Sequence, residues 1–221
     1  MAIVFHSKEY SDITIDSHKL IGVMGNYQDF FKSMEKDNIC YLGNEIVSSK
    51  QTIYQVINGS TIDEKILNKI IKDLDLKEGF LNKKINDLSH SERKVFRYLQ
   101  MLITNANIIV IDEPFLDLDS IMKKKIISIF NQLVRTKTII IGSSDSDIIY
   151  SLCKKVLLLG NSKYLYDDVS VLTNKSVLKR FHLLMPEIVK FVRLANDKKI
   201  KLPYVKDIRD LIKDVYKHVS K

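Results

Sequence analysis

Short, nearly unbroken apolar runs alternate along this chain with stretches whose apolar residues recur every three or four positions. The runs are "IVF" (3–5), "KLIGVMG" (19–25), "ICYLG" (39–43), "NIIVIDEP" (107–114), "TIIIGSSD" (138–145) and "KVLLLG" (155–160). Several are apolar at successive positions, which is the pattern of parallel strands buried on both faces. Helical spacing fills 61–78, 89–105, 119–134 and 145–153. Strand and helix in alternation, with polar joins, predict an α/β layered fold around a mostly parallel sheet. Beyond residue 169 the strand-like runs stop. Asp197-Lys198-Lys199 and Pro203 punctuate a last region, 170–221, that reads as wholly helical.

Composition adds a core and an asymmetry. Hydrophobic residues make up 45% of the 221, enough for a substantial buried core. The net charge of +8 belongs to one end: residues 1–169 hold 22 Lys and Arg against 22 Asp and Glu, whereas 170–221 hold 13 against 5. Such a tail invites a nucleic-acid or anionic-membrane reading, kept here as one alternative. Its lysines, however, are interspersed with apolar residues at helical spacing, as on a solvated helix face. Few aromatics offer bases a stacking platform, so a nucleic-acid partner is not expected. Cys40 and Cys153 stand far apart without metal-ligand spacing and read as reduced thiols of a cytosolic protein. No apolar run approaches the roughly 18 residues that span a bilayer, and the N-terminus lacks the order of a secretory signal, so any membrane role is expected to be peripheral.

Two stretches carry candidate chemistry. In "IIVIDEP" (108–114) four apolar residues deliver Asp112 and Glu113 to the carboxyl end of a buried strand, the edge at which open α/β sheets bind ligands. An acid there can hold Mg²⁺, and the next carboxylate can orient an attacking water. In "IGVMGNYQDFFKSM" (21–34), Gly22 and Gly25 fall where a phosphate-gripping glycine loop has its first two glycines. The third glycine is then Tyr27, the lysine Gln28 and the serine or threonine Asp29.

The order of several further motifs resembles the ATP-binding cassette (ABC) transporter ATPases. "LSHSE" (88–92) precedes "IDEP" at the separation that the ABC signature LSGGQ keeps from its Walker B motif, and Leu88 to Pro114 aligns without a gap. Leu118 and Asp119 match the end of the D-loop. "TIIIGSSDSDIIYSLCKKVLLL" (138–159) looks like the switch strand and following helix, and "TIYQVING" (52–59) like the segment after the Q-loop. "LMPEIVKFVRLANDKKIKLPYVKDIRDLIKDV" (184–215) resembles the C-terminal helices of energy-coupling-factor (ECF) ATPases. The resemblance implies a P-loop NTPase-like cassette over 1–169, with a helical subdomain at about 60–105 and a C-terminal helical extension. It implies ATP and Mg²⁺ as cofactors, with Asp112 as the Walker B metal ligand. Implied partners are a sister ABC ATPase in a heterodimer and a transmembrane component, at the inner face of the cell membrane.

Departures from the family pattern shape the functional expectation. Gln28 cannot neutralise phosphate charge, and Asp29 puts an anion at the mouth of the loop. A lost charged hydrogen bond costs roughly 1.5–3 kcal/mol, and a carboxylate about 4 Å from a phosphate roughly 1–4 kcal/mol. The sum is about 2–5 orders of magnitude in affinity, so own-site ATP binding is expected to be weak or absent. Asp29 is expected instead to cap the first amides of the following helix, standing in for phosphate. His90 and Ser91 replace the two signature glycines, while Ser89 and Glu92 form a capping-box pattern. That face is expected to receive a partner's phosphate weakly. Ser144 aligns with the switch histidine, and Asn44 best matches the Q-loop glutamine. His6 lies near the place of an adenine-stacking aromatic. Glu113 is then a vestigial general base. The expected function is a degenerate subunit energised by its sister. A further alternative is a self-sufficient ATPase with Asp29, Asp112 and Glu113 around a metal.

Overall fold

A computed structural model describes residues 2–7, 9–34, 38–43, 49–58 and 64–219. Its centre is a six-stranded sheet. The strands are β3 (Leu20–Gly25), β4 (Ile39–Leu42), β5 (Ile108–Asp112), β6 (Thr138–Gly142), β7 (Lys155–Gly160) and β8 (Lys163–Asp168), in the order β4-β5-β6-β3-β7-β8. All neighbours are parallel except β7 and β8, which form an antiparallel hairpin. A separate antiparallel pair, β1 (Ala2–Ser7) and β2 (Ser11–Asp16), precedes it.

Both faces of the parallel sheet are covered, which is why its strands read as apolar runs. Successive residues point to opposite sides. Ile21, Val23, Val110, Ile140, Leu157 and Leu159 join one core, against Phe5, Ile13 and Ile15 of the hairpin and Phe30 and Phe31 of α1 (Tyr27–Ser33). Met24, Ile109, Ile111, Ile139, Ile141 and Leu158 join the other. That second core is closed by α2 (Ile53–Asn58), α3 (Glu64–Leu74), α4 (His90–Ile103), α5 (Ser120–Leu133) and α6 (Ser146–Leu152). Within α4, Phe96 and Leu99 are buried, and Val95, Leu102 and Ile103 pack against the same core, as their spacing predicts.

The C-terminal region supplies α7 (Lys175–Arg180), α8 (Glu187–Asp197) and α9 (Ile208–Val219). Leu178, Phe181 and Val189 enter the second core, whereas Val192, Leu202 and Leu211 make a small core of their own. On α9 the charges pair at helical spacing, Lys213 with Asp210 and Lys217 with Asp214, while Arg209 holds Asp207 just ahead of the helix. This is the solvated-face arrangement expected of the tail. Cys40 is half-buried and Cys153 buried, both free. Among the described residues no helix is long and apolar enough to cross a membrane.

Candidate functional site

The carboxyl ends of β3, β5 and β6 meet at one edge of the sheet, as the register Asp112 to Gly142 and Val23 to Gly142 requires. β3 delivers the glycines there, but neither sits in an open loop. Gly22 is inside the strand, and a Cβ on it would stand 2.4 Å from Ile149 of α6. Gly25 ends the strand at φ +92°, with the Leu159 carbonyl 1.9 Å from where a Cβ would lie. Only glycine fits that turn. The connection to α1 is then the single residue Asn26, whose amide donates to Leu159 O at 3.2 Å and whose side chain reaches Asn161. An amide that a phosphate-gripping loop would offer outward is bonded to the neighbouring strand.

Tyr27, at the position of the third glycine, turns inward and is 4% exposed. Its ring packs on Phe31 at 5.0 Å between centroids and lies over Gly142, where a Cβ would come within 2.4 Å of it. Its hydroxyl donates to Glu113 Oε1 at 3.2 Å. Burial, with the charges of Glu113 and Asp112 beside it, pushes that hydroxyl's pKa far up, so it stays a donor.

Glu113 has the most partners. Oε1 also accepts from Ser144 N at 2.7 Å and Ser144 Oγ at 2.9 Å, and Oε2 from Ser143 Oγ at 2.8 Å. Its own amide donates to Gly142 O at 2.9 Å. At φ 44° the backbone leaves the strand conformation, a left-handed geometry that glutamate adopts only when its surroundings hold it. Asp112 is different. Burial first, and then the charge of Glu113, raise its carboxyl above the usual range, against the opposing pull of the Tyr27 hydroxyl, Arg97 and Lys94. Its Oδ1 is buried without a hydrogen-bond partner among the described residues.

Gln28 and Asp29 face away from this cluster and are exposed. The expected capping by Asp29 is not found: its carboxylate, 89% exposed, stands 3.7 Å from Lys32 one turn on. The physical reason is the burial of Tyr27. Turning that ring inward starts the helix at once and leaves Asp29 on its outer face. Nor does Asp29 join Asp112 and Glu113, and among the described residues no group of three His, Cys, Asp or Glu could hold a metal ion. Asn44 lies outside the described residues. His6 pairs with Asp12 at 2.7 Å on the exposed hairpin.

The "LSHSE" segment forms the N-terminus of α4. Ser89 caps it: its Oγ accepts from Glu92 N at 3.3 Å, and Glu92 Oε2 accepts from Ser89 N at 3.0 Å, a complete capping box. Lys83 donates to Glu92 at 2.5 Å, and with the Ser89 amide holds the Glu92 carboxyl below its usual range. Ser91 Oγ is 3.3 Å from Ser89 Oγ. His90 reaches Asp117 at 3.0 Å. Asp119 caps α5 by accepting from Ile121 N and Met122 N, both at 2.8 Å.

Four contributors escaped the reading of the sequence. Gly142 makes room for Tyr27, and Ser143 supplies a donor to Glu113. Lys94, 5% exposed, crosses from α4 to donate to Leu116 O at 2.6 Å and Glu113 O at 3.4 Å. Tyr98 likewise donates to Pro114 O. The signal for the first two was a run of small residues, "GSS", at the end of a strand of large ones.

No protein-family model matches the chain. It is 30% identical over 111 residues to a Listeria monocytogenes protein named as an ABC transporter ATP-binding protein, covering 49% of this chain and 41% of that one. It is 26% identical over 199 residues to the energy-coupling factor transporter ATP-binding protein EcfA3 of Oenococcus oeni, covering 86% of this chain and 64% of that one. The chain thus spans less than two thirds of the length of these relatives. A solved structure described as an inward-facing metal-chelate type ABC transporter superposes with a TM-score of 0.63 at 13% identity, covering 81% of this chain and 86% of that one. The curated homologues of this chain are therefore ABC transporter ATP-binding proteins, an ECF ATPase among them, and its architecture is the ABC transporter ATPase fold.

Proposed function

We propose that this chain is a degenerate ATP-binding subunit of an ECF-like ABC transporter. It pairs with a sister ATPase that performs the hydrolysis and couples that sister to a transmembrane component, at the inner face of the membrane. One observation carries the reading. The buried Tyr27 ring and hydroxyl fill the space beside Asp112 and Glu113, and the position of the phosphate-binding lysine is an exposed Gln28. The residues present do not fit a bound Mg·triphosphate. The loop is closed onto Leu159, and the lysine position is an uncharged Gln28 turned to the surface. The chain's own half of the composite site is therefore inert.

The other half keeps its form. Ser89, His90 and Ser91 stand exposed at the N-terminus of the fourteen-residue α4, a terminus oriented to favour an anion. In this reading that end completes the sister's nucleotide site. The tail supports work in an assembly: Phe191, Ile208, Ile212 and Tyr216 are exposed apolar side chains beside a groove of about 1400 Å³ between α5, α6, α8 and α9.

The test is calorimetric titration of the isolated chain with Mg·ATP, together with a phosphate-release assay. The expected outcome is no saturable one-to-one binding and no turnover. Tight stoichiometric saturation overturns the reading.

A further inference from the structure

We infer that Glu113 has become a nucleotide-independent staple, whose carboxylate ties the start of α1, the end of β5 and the loop after β6 into one fixed arrangement. The first ground is the number of donors. An ionised carboxylate has about four lone-pair sites, and Glu113 accepts four hydrogen bonds: from Tyr27, from Ser143, and from both the amide and the hydroxyl of Ser144. Hydrogen bonds to an ionised acceptor are about twice as strong as neutral ones. Three of the four reach Oε1 and one reaches Oε2, so both oxygens are held, one from α1 and the loop after β6 together and the other from that loop alone.

The second ground is direction. Ser143 Oγ accepts from Asp145 N at 3.1 Å, so its own hydrogen is directed at Glu113. Asp145 then caps α6, accepting from Asp147 N at 2.9 Å and Ile148 N at 3.2 Å. In turn α6 leans through Ile149 on Gly22 of β3. The contacts thus run from the carboxylate through the loop into a helix and back to the strand that begins the site. From the far side, Lys94 and Tyr98 of α4 hold the backbone of Glu113, Pro114 and Leu116. The left-handed backbone at Glu113 is what aims the side chain along the sheet edge.

The third ground is packing. Gly142 ends β6 without a Cβ, and the rings of Tyr27 and Phe31 occupy that space, Phe31 2.5 Å from where a Cβ would be. The ring and the hydroxyl of Tyr27 therefore act on the ends of two neighbouring strands, Gly142 of β6 and Glu113 just past β5. In a subunit that uses nucleotide, a bound phosphate would bridge these three elements. Here the chain bridges them itself. Resting on the functional reading above, it follows that the loop keeps its place whether or not Mg·ATP is present.

Backbone amide exchange of the full chain, followed residue by residue by NMR with and without Mg·ATP, tests the staple. The Ser144 amide is expected to be protected without nucleotide, and Mg·ATP is expected to change nothing. Glu113→Gln should speed Ser144 exchange at least tenfold while the amides of β6 keep their protection. Tyr27→Phe and Ser143→Ala, each removing one donor, should speed it less, and they decide the matter should Glu113→Gln not fold. Free exchange of Ser144 in the unaltered chain, protection gained only with Mg·ATP, or indifference to all three substitutions would each overturn the staple. Calorimetric ATP binding with Ser144 protection unchanged would remove the inert-site reading and leave the staple standing. Free exchange without ATP binding would do the reverse.

Discussion

The two halves of the candidate site spend their polar groups differently. At the carboxyl edge of β3, β5 and β6, the side chains satisfy one another: Tyr27, Ser143 and Ser144 all donate to Glu113. At the start of α4, Ser89 and Glu92 satisfy each other's amides, Glu92 also accepts from Lys83, and His90 and Ser91 remain exposed. The first region is a closed network, in which losing Glu113 takes this acceptor from the buried Tyr27 and Ser143 hydroxyls. The second is a local cap on a surface helix, which stays available to another molecule. Burial thus decides whether polar groups answer one another or stay open to solvent.

The comparison can be broken first at Gly142. Gly142→Ala places a methyl group 2.4 Å from the Tyr27 ring and 2.5 Å from Phe31. Overpacking of this kind costs about 1–3 kcal/mol, and a melting curve should fall by about 2–4 °C per kcal/mol for a chain of this size. Ser144 amide exchange should rise with it, and α4 should be untouched. A stable variant with Ser144 still protected would show that Tyr27 can leave its seat at little cost.

Ser89→Ala is the converse, with a smaller effect of about 1 kcal/mol from the lost cap. Exchange at the first amides of α4 should quicken while Ser144 stays protected, because the Ser89 cap holds only the helix start and not Lys94 or Tyr98, through which α4 reaches the Glu113 loop. Coupled changes at both places would merge the two regions into one.

The smallest effect is a dependence on pH. Lys83 and the Ser89 amide depress the folded pKa of Glu92. The stability it contributes is therefore present above the ordinary glutamate pKa and lost as pH falls through the folded value. Glu92→Gln should lower the melting temperature slightly at neutral pH, and the difference should vanish in acid. Salt should shrink it, since the Lys83 partner is half exposed. A difference that grows on acidification would show the sign to be wrong.

Strands buried on both faces were legible as runs. "KVLLLG" is β7 end to end, and "KLIGVMG" exceeds β3 by one residue. The strands missed were "SDITID" and "KYLYDD", which became β2 and β8. Both belong to antiparallel hairpins and neither is buried on both faces: in β2 Ile13 and Ile15 are buried and Asp12 and Thr14 exposed, while no residue of β8 is fully buried. Of the site, the missing lysine and glycine could be read letter by letter, and so could the capping box at Ser89. The destination of Tyr27 could not. It depends on the absence of a side chain at Gly142, in a strand far along the sequence. Once the ring is seated there, Asp29 is carried to the outside. Local propensity at Asp29 pointed to a cap, and tertiary packing overrode it.

The interlock of Tyr27 with Gly142 works both ways. Restoring glycine at position 27 alone would not rebuild a loop for phosphate. It would empty a seat held by a ring that is 4% exposed, at a cost comparable with about 3–5 kcal/mol for deleting a buried aromatic, and strip Glu113 of a donor. Either residue changed alone costs stability, so positions 27 and 142 constrain each other although they lie far apart in the sequence.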